Sequence, residues 1–503
     1  MYPVEHGFET TLFLFAAVCC ASSLMAQLPL SAGTFFQQVH KAYTQRDGLS
    51  AEAFLRLWTE EDGTLRAQDE TGTRFFFDGE RWLPLGNSSK KDALFPPLPC
   101  HPTLEPLVGA IKNVRGVAEQ ASEIAIAAKN GLYLGDGVEW ELVLPVEGNL
   151  RWAPIDVRAV TFDMQGRLWF AAPQGVGCRL KESKWQLFSG DDGLPFNDFT
   201  CVAAGPSGVW FGTTNGVIQY RNGQWSFRQG RRWLLDNEVL DIAVDSQGNA
   251  WMATSAGISC ITEKPMTLKG KASFYEEEIE KYHRRTRFGY VNPSVLAAPG
   301  DKKSATPVYT DNDGFNTGLY LAAMSFAYAA TGEAKYSDDA EKAFHGLSFL
   351  SKVTQGGDHP APKGFIARNV IPTTDSDPNL RYDRKYDIRR KKKDSLWKIM
   401  EPRLPIDESG EWYWKCDSSS DELDGHFFGY AVYFDRLCGR EEQRDEVRSV
   451  VRRITDHLLT HGYNLVDYDG LPTRWAHFSP EDLNGNPVWH EERGLNSYSI
   501  LTY

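Results

Sequence analysis

Three tryptophans stand 41 residues apart, at Trp169, Trp210 and Trp251, and each is followed six residues later by a glycine, Gly175, Gly216 and Gly257. The segments that carry them read "DMQGRLWFAAPQGV" from Asp163, "GPSGVWFGTTNGV" from Gly205 and "DSQGNAWMATSAGI" from Asp245. Each reads as strand, tight turn, strand, glycine turn, strand, and two units close on a further tryptophan, Trp185 and Trp225. A period of about 40 built from four short strands predicts a β-propeller blade. A single blade cannot cover its own faces, so blades must stack around an axis.

Weaker copies lie upstream. "KNGLYLGDGVEWELV" sets Gly131 before Trp140 as Gly216 is set before Trp225, and "ETGTRFFFDGERWLPL" sets Gly72 before Trp82 as Gly175 is set before Trp185. The expectation is a propeller of about five blades over residues 45–265, with residues 31–44 supplying a strand that closes the ring. The blade tryptophans are expected to pack rather than to touch ligand. The pattern "GLP…V…D..G.LW.GT..G" resembles the two-component-regulator propeller repeat. That resemblance covers residues 150–262 well and 45–145 loosely, and it implies ligand sensing outside the cytoplasm. No kinase segment follows the repeats.

After Pro265 the period changes to that of helices. "ASFYEEEIEKYHRR" (272–285), "GLYLAAMSFAYAATG" (318–332), "KYSDDAEKAFHGLSFLSKV" (335–353), "SSDELDGHFFGYAVYFDRLC" (419–438) and "EEQRDEVRSVVRRITDHLLTHG" (441–462) alternate buried with amphipathic character. A last helix starts at "RGLNSYSILTY" (493–503). Residues 270–503 resemble the six-hairpin, (α/α) toroid superfamily of glycosidases and polysaccharide lyases, on the phrases "DNDGFNTGLYLAAMSFAYAATGEAKY" and "CDSSSDELDGHFFGYAVYFD". A closed toroid takes about twelve helices and five or six are visible, so the expectation is either a fragment of a longer chain or a partial toroid. The fold class is thus multidomain, an all-β propeller followed by an all-α helical-hairpin toroid.

In such a toroid, loops before the buried helices would rim a cavity. Two polar clusters fall there: Asp311, Asn312, Asp313 and Asn316, then Asp417, Asp421, Glu422, Asp424 and His426. Paired carboxylates serve as general acid and base when their surroundings separate their pKa values, and glycoside hydrolysis uses such a pair. A lyase acting on a uronate needs instead a neutralised carboxylate and a base. The candidate catalytic residues are Asp421, Glu422 and His426, with Glu422 or Asp421 as acid/base and His426 as an alternative base. The candidate substrate-binding residues are Asp313, Asn316, Arg368, Trp412 and Trp414, the two indoles serving equally as sugar platforms or as packing. The plainer reading is that Ser419-x-x-Glu422 forms a capping box and that "DNDG" is turn chemistry. The number of acids before Phe427 exceeds what one cap requires.

His457 and His461 are spaced for a metal, but no glutamate follows His457, and histidines suit a helix C-terminus. No metal or cofactor is expected. The run "RRKKKD" (389–394) reads as a solvated loop or as a hold on a sulfated or uronate chain. The net charge of −13 argues against nucleic acid as a partner. Fifteen Trp and twenty Tyr suit a protein that faces sugars. Residues 1–26 resemble a signal peptide, apolar from 11 to 26 with Ala26-Gln27 as the cleavage point, although no Lys or Arg precedes Thr11. The expectation is a secreted or periplasmic protein without a stable membrane span. It would act on a polysaccharide or oligosaccharide, neutral or acidic, as a lyase or hydrolase, with a non-catalytic sensing or carbohydrate-binding propeller as the alternative.

Overall fold

A computed structural model describes residues 33–60, 62–85, 111, 113–180, 184–298 and 300–503. The expected signal peptide, with Cys19 and Cys20, lies outside the described residues, as does Cys100. The described residues divide into two compact units, Gly33–Leu268 and Lys269–Tyr503.

The first unit opens with β1 (Thr34–Tyr43). Four complete sheets and a set of three strands follow in sequence: β2 (Phe54–Thr59), β3 (Leu65–Asp69), β4 (Arg74–Phe77) and β5 (Trp82–Pro84), then β6 (Val114–Gln120), β7 (Glu123–Ala128), β8 (Gly131–Gly135) and β9 (Trp140–Leu142). A small hairpin, β10 (Val146–Glu147) and β11 (Leu150–Arg151), precedes β12 (Ala159–Phe162), β13 (Leu168–Ala172), β14 (Gly175–Arg179) and β15 (Trp185–Phe188). Next come β16 (Phe199–Gly205), β17 (Gly208–Thr213), β18 (Gly216–Arg221) and β19 (Gln224–Arg228). The last are β20 (Asp241–Val244), β21 (Ala250–Thr254) and β22 (Gly257–Thr267). Each set of four forms one antiparallel sheet in chain order, and the last three strands take β1 as their fourth. β1 pairs with β22 from Thr34 opposite Thr267 to Tyr43 opposite Ile258. The first strands of the sheets, β6, β12, β16, β20 and β2, meet one another in that order and form the inner wall. This is propeller architecture.

In the last three sheets the repeat buries one indole on the second strand. Trp169, Trp210 and Trp251 are buried on the second strands. Trp169 Nε1 donates to Asp163 at 2.7 Å and Trp251 Nε1 to Asp245 at 3.0 Å. The same carboxylates accept turn N–H groups, from Gln165 and Arg167 and from Gln247 and Asn249. In the sheet that has Gly205 in place of aspartate, Ser207 Oγ takes the indole proton of Trp210 at 2.9 Å. The paired glycines have positive φ, 144° at Gly175, 132° at Gly216 and 124° at Gly257. A Cβ at any of them would strike the carbonyl of Phe188, Arg228 or Tyr43, each on the fourth strand of its sheet. Tyr43 therefore occupies the place in the last sheet that Phe188 and Arg228 hold in theirs.

The second unit is helical: α1 (Leu268–Tyr282), α2 (Asp313–Thr331), α3 (Ala334–Leu350), α4 (Arg384–Lys391), α5 (Ser420–Arg436), α6 (Glu441–Thr460) and α7 (Arg493–Thr502). Short links between α2 and α3 and between α5 and α6 make two hairpins. α2 and α5 run parallel and touch through glycines. A Cβ on Gly318 would lie 3.0 Å from Gly425 Cα and closer still to its carbonyl, and one on Gly429 would lie 2.8 Å from Gly318 O. Tyr430 and Tyr433 of α5 pack on Phe344 of α3, the latter stacked at 5.0 Å. The core then continues through Leu321, Leu347, Leu423, Val450 and Ile454. Among the described residues no helix is long and apolar enough to cross a membrane.

Candidate functional site

The two clusters read from sequence meet at the common N-terminal end of α2 and α5. Asp417 takes a left-handed φ of 58°, and its carboxylate accepts from Arg474 N at 2.8 Å. Its own N–H donates to Asp467 at 2.6 Å. That turn delivers Ser419 to the N-cap of α5, but no capping box forms there. Glu422 crosses instead to the neighbouring helix, where its Oε2 accepts from Gly314 N at 2.7 Å and Phe315 N at 3.2 Å. It caps α2, whose own N-cap residue Asn312 makes no side-chain cap bond. A helix start left without partners is costly when buried, and an acid there suits the helix dipole.

Glu422, His426 and Asp313 are all fully buried. Burial pushes Glu422 well above the usual carboxylate range, with Arg368 opposing. Burial alone lowers His426 to about 3. Its Nδ1 lies 2.9 Å from Tyr430 Oη, while its Nε2 and Glu422 Oε1 have no partner among the described residues. Both side chains crowd the space beside Gly314, where a Cβ would stand 2.6 Å from His426 Nε2. Asp313 is paired with Arg285 and accepts from Asn292 Nδ2 at 2.8 Å. Burial raises it to about 6 against the pull of Arg285.

A more open rim borders this closed centre. Arg368 donates to Ser419 Oγ at 3.0 Å and to the carbonyl of Asp311 at 3.2 Å. Lys415 is paired with Asp311 and stands 4.9 Å over the Tyr382 ring. Burial works to raise Asp311, but Lys415 and Arg368 outweigh it and hold the acid below its usual range. Asp421 is half-buried beside Ser419, and Asn316 is half-buried on the second turn of α2. The structure thus gathers Asp313, Asn316, Arg368, Asp421, Glu422 and His426. It separates Trp412 and Trp414, which sit in the core on a short strand paired with Val370–Pro372. Trp412 lies against Phe288 and Phe349, and Trp414 against Phe365 and Tyr468. Neither indole offers a face to a sugar here. Sequence reasoning passed over Arg285, Arg403 and Lys415, the cations that balance these acids; their signal was a surplus of buried carboxylates needing counter-charge.

The propeller holds a second set. The inner strands align by the repeat, and the ladders of three of them skip one residue at the same step, Leu55, Arg115 and Thr200. The equivalent residues of the other two sheets are Arg158 and Leu240. The next step carries Arg56, Gly116, Ala159, Cys201 and Asp241. Where the outer strands repeat Trp and Gly, these positions differ from sheet to sheet. Arg115 and Arg158 converge on Asp156 at 2.5 and 2.8 Å, all three partly exposed. Asp241 accepts from Leu57 N of the adjoining sheet at 2.8 Å. Burial raises it to about 6, with that bond and Arg56 opposing. Aligning the repeats against one another could have revealed this set.

Residues 234–256 match the sequence profile of the Two component regulator propeller. No curated protein matches. Among solved structures, the extracellular domain of the hybrid two component system BT4673 from B. thetaiotaomicron is 14% identical, over 44% of this chain and 40% of that one, with a TM-score of 0.27. The corresponding domain of BT3049 from the same organism is 13% identical over 55% and 46%, at a TM-score of 0.26. PorZ, a surface component of the type-IX secretion system of Porphyromonas gingivalis, is 18% identical over 41% and 32%, at 0.24. The chain therefore spans less than half the length of each of these three. The N-terminal unit is a β-propeller that carries a two-component-regulator propeller repeat.

Proposed function

We propose that the protein is an exported recognition protein whose propeller binds ligand at the axial end of its inner strands, with an oligosaccharide or polysaccharide as the ligand class. One observation carries this reading. The repeat keeps its scaffold residues constant while the axial positions diverge into Arg115, Arg158 and Asp156, backed by Arg56 and Asp241. Selection for folding alone explains the constant positions. Charged groups at equivalent steps of different sheets have no packing task in common. Export rests on the apolar segment 11–26 and the residues that follow it.

The test is binding of an oligosaccharide panel to the full chain, followed by calorimetry on Arg115→Ala/Arg158→Ala. Loss of two charge-assisted contacts predicts at least a tenfold weaker complex, with Lys264→Ala on the outer strand as the control. Unchanged affinity in the double variant refutes the axial site.

A second reading, a polysaccharide lyase or glycoside hydrolase in a partial (α/α) toroid, draws on the rim of Asp311, Asn316, Arg368 and Asp421. There Asp421 would act as acid/base while Arg368 and Asn316 hold the substrate. Glu422 and His426 would need exposure to take part. New reducing ends, or the ultraviolet absorbance of unsaturated uronates, would favour it. A turnover-competent Asp421→Asn variant would sink the assignment.

A further inference from the structure

The insertion between the two helical hairpins carries an uncompensated basic surface on an acidic protein. Eight cations fall between Arg381 and Lys393, and all eight side chains are exposed. The two acids of the same stretch are already used. Asp383 caps α4 by accepting from Tyr386 N at 2.7 Å. Asp387 is fully buried and accepts from Trp397 Nε1, Met400 N and Arg403 Nε at 2.7 to 2.9 Å. Asp387 thus pins the helix from beneath and leaves its outer face without negative charge. Among the described residues, Arg384 makes an ion pair with Glu401 at 3.2 Å, whereas Lys385, Arg389, Lys392 and Lys393 make none.

Helix physics does not account for this concentration. Cations in a last turn favour the dipole, which covers one or two residues, and the i,i+4 pair Lys385 and Arg389 works against the helix. The cations are instead interleaved with rings. Arg381 lies 5.3 Å over Tyr382, which also meets Tyr386, and Arg390 lies 4.6 Å over Trp397. Lys415 stands on the Tyr382 ring, so the row continues to Asp311 and Arg368. Beside it opens a cleft of about 310 Å3, lined by Tyr382, Arg384 and Arg403 among others.

We propose that α4 and its flanks form a docking surface for an acidic polysaccharide, a soluble chain bearing carboxylate or sulfate groups at regular intervals. The surface lies in the helical unit and does not depend on the axial site. Repeated cations match repeated anions along a linear chain, and a cleft that sets the Tyr382 ring beside Arg384 offers a sugar ring both an apolar face and a charge. An anionic bilayer is the weaker match. Leu380 and Ile388 are the exposed large apolar side chains of the stretch, too few for the apolar face of an interfacial helix.

The experiment uses the full chain with heparin as the sulfated probe and polygalacturonate as the carboxylated one. Vesicles of phosphatidylcholine with phosphatidylserine form a third arm and duplex DNA a fourth. At least one polysaccharide should bind, more weakly as salt rises from about 50 to 200 mM. Arg389→Ala/Lys392→Ala/Lys393→Ala should cost tenfold or more, equivalent to about 1.4 kcal/mol. The charge-keeping triple Arg389→Lys/Lys392→Arg/Lys393→Arg should restore binding, and Lys264→Ala on the propeller should leave it unchanged. The proposal is overturned if neither polysaccharide binds or if the neutral triple binds normally. It is equally overturned if the charge-keeping triple fails to bind, or if vesicles or DNA bind more tightly than both polysaccharides.

Discussion

Gly318→Ala sets two opposed effects against each other, and the geometry decides the sign. In an isolated helix the exchange is favourable by about 0.8–1.0 kcal/mol. In α2 the new methyl would point at Gly425 of α5, well inside the 3.0 Å that real Cβ atoms essentially never cross. The obstacle is backbone, so no side chain can swing away, and the helices must part by about 1 Å to regain ordinary contact. Overpacking of that kind costs about 1–3 kcal/mol. Parting also stretches the bonds from Gly314 N and Phe315 N to Glu422, now 2.7 and 3.2 Å, and each such bond contributes about 0.5–1.5 kcal/mol. Set against the propensity gain, the net expectation is a loss of about 2–4 kcal/mol. Urea unfolding followed by the helical circular dichroism signal measures it. Gly494→Ala, where a Cβ meets nothing within 4 Å, is the control and should be neutral or slightly stabilising. A Gly318→Ala protein as stable as its parent would refute the close parallel contact of α2 and α5.

Asp163→Ala should destabilise the propeller by about 2–3 kcal/mol, because it strands the indole N–H of the buried Trp169 and two turn N–H groups; thermal melts should find Asp163→Asn intermediate. His426 has its folded-state pKa depressed to about 3, against about 6.5 unfolded. The unfolded chain therefore binds the extra proton between those values, and stability falls as pH drops from about 6.5 toward 3, by about 1.4 kcal/mol per unit. His426→Gln should flatten that limb of a denaturation series, and parallel profiles would contradict the burial. Asp313, raised to about 6, acts with the opposite sign: its contribution is lost as pH rises from about 4 to 6, so Asp313→Asn should gain relative stability toward neutral pH. Removing residues 33–43 leaves the β22 edge unpaired, and size-exclusion chromatography should then report self-association, reversed by a synthetic peptide of the same residues.

The propeller was legible because its period is written in large residues. Trp169, Trp210 and Trp251 with their glycines mark second strands and turns, and the expected closing strand at 31–44 is β1. The long helices were legible for the same reason: apolar spacing locates α2, α3, α5 and α6 to within a few residues. Burial at the helix ends was not. An excess of acids before Phe427 looks like a reactive edge, yet Gly314, Gly318, Gly425 and Gly429 let two backbones approach so closely that Glu422 and His426 are enclosed. Glycine spacing on two separate segments carries no mark that they are partners. The basic run reads as a solvated loop or as a hold on an acidic chain, because its charges hide helical spacing. The residue that makes it a helix is Asp387, whose partners Trp397, Met400 and Arg403 come later in the chain.

The pairing of β1 with β22 has a consequence for synthesis. The strand made first finds its partner among the strands made last, some 220 residues on. Until Ile258–Thr267 has left the ribosome or translocon, the nascent propeller carries two open edges, one on each side of the gap. Those edges invite neighbouring chains. The interval of greatest hazard therefore ends as α1 begins to emerge, because β22 runs straight into Leu268. A pause in translation just after that point would allow the ring to latch before the helices compete for it.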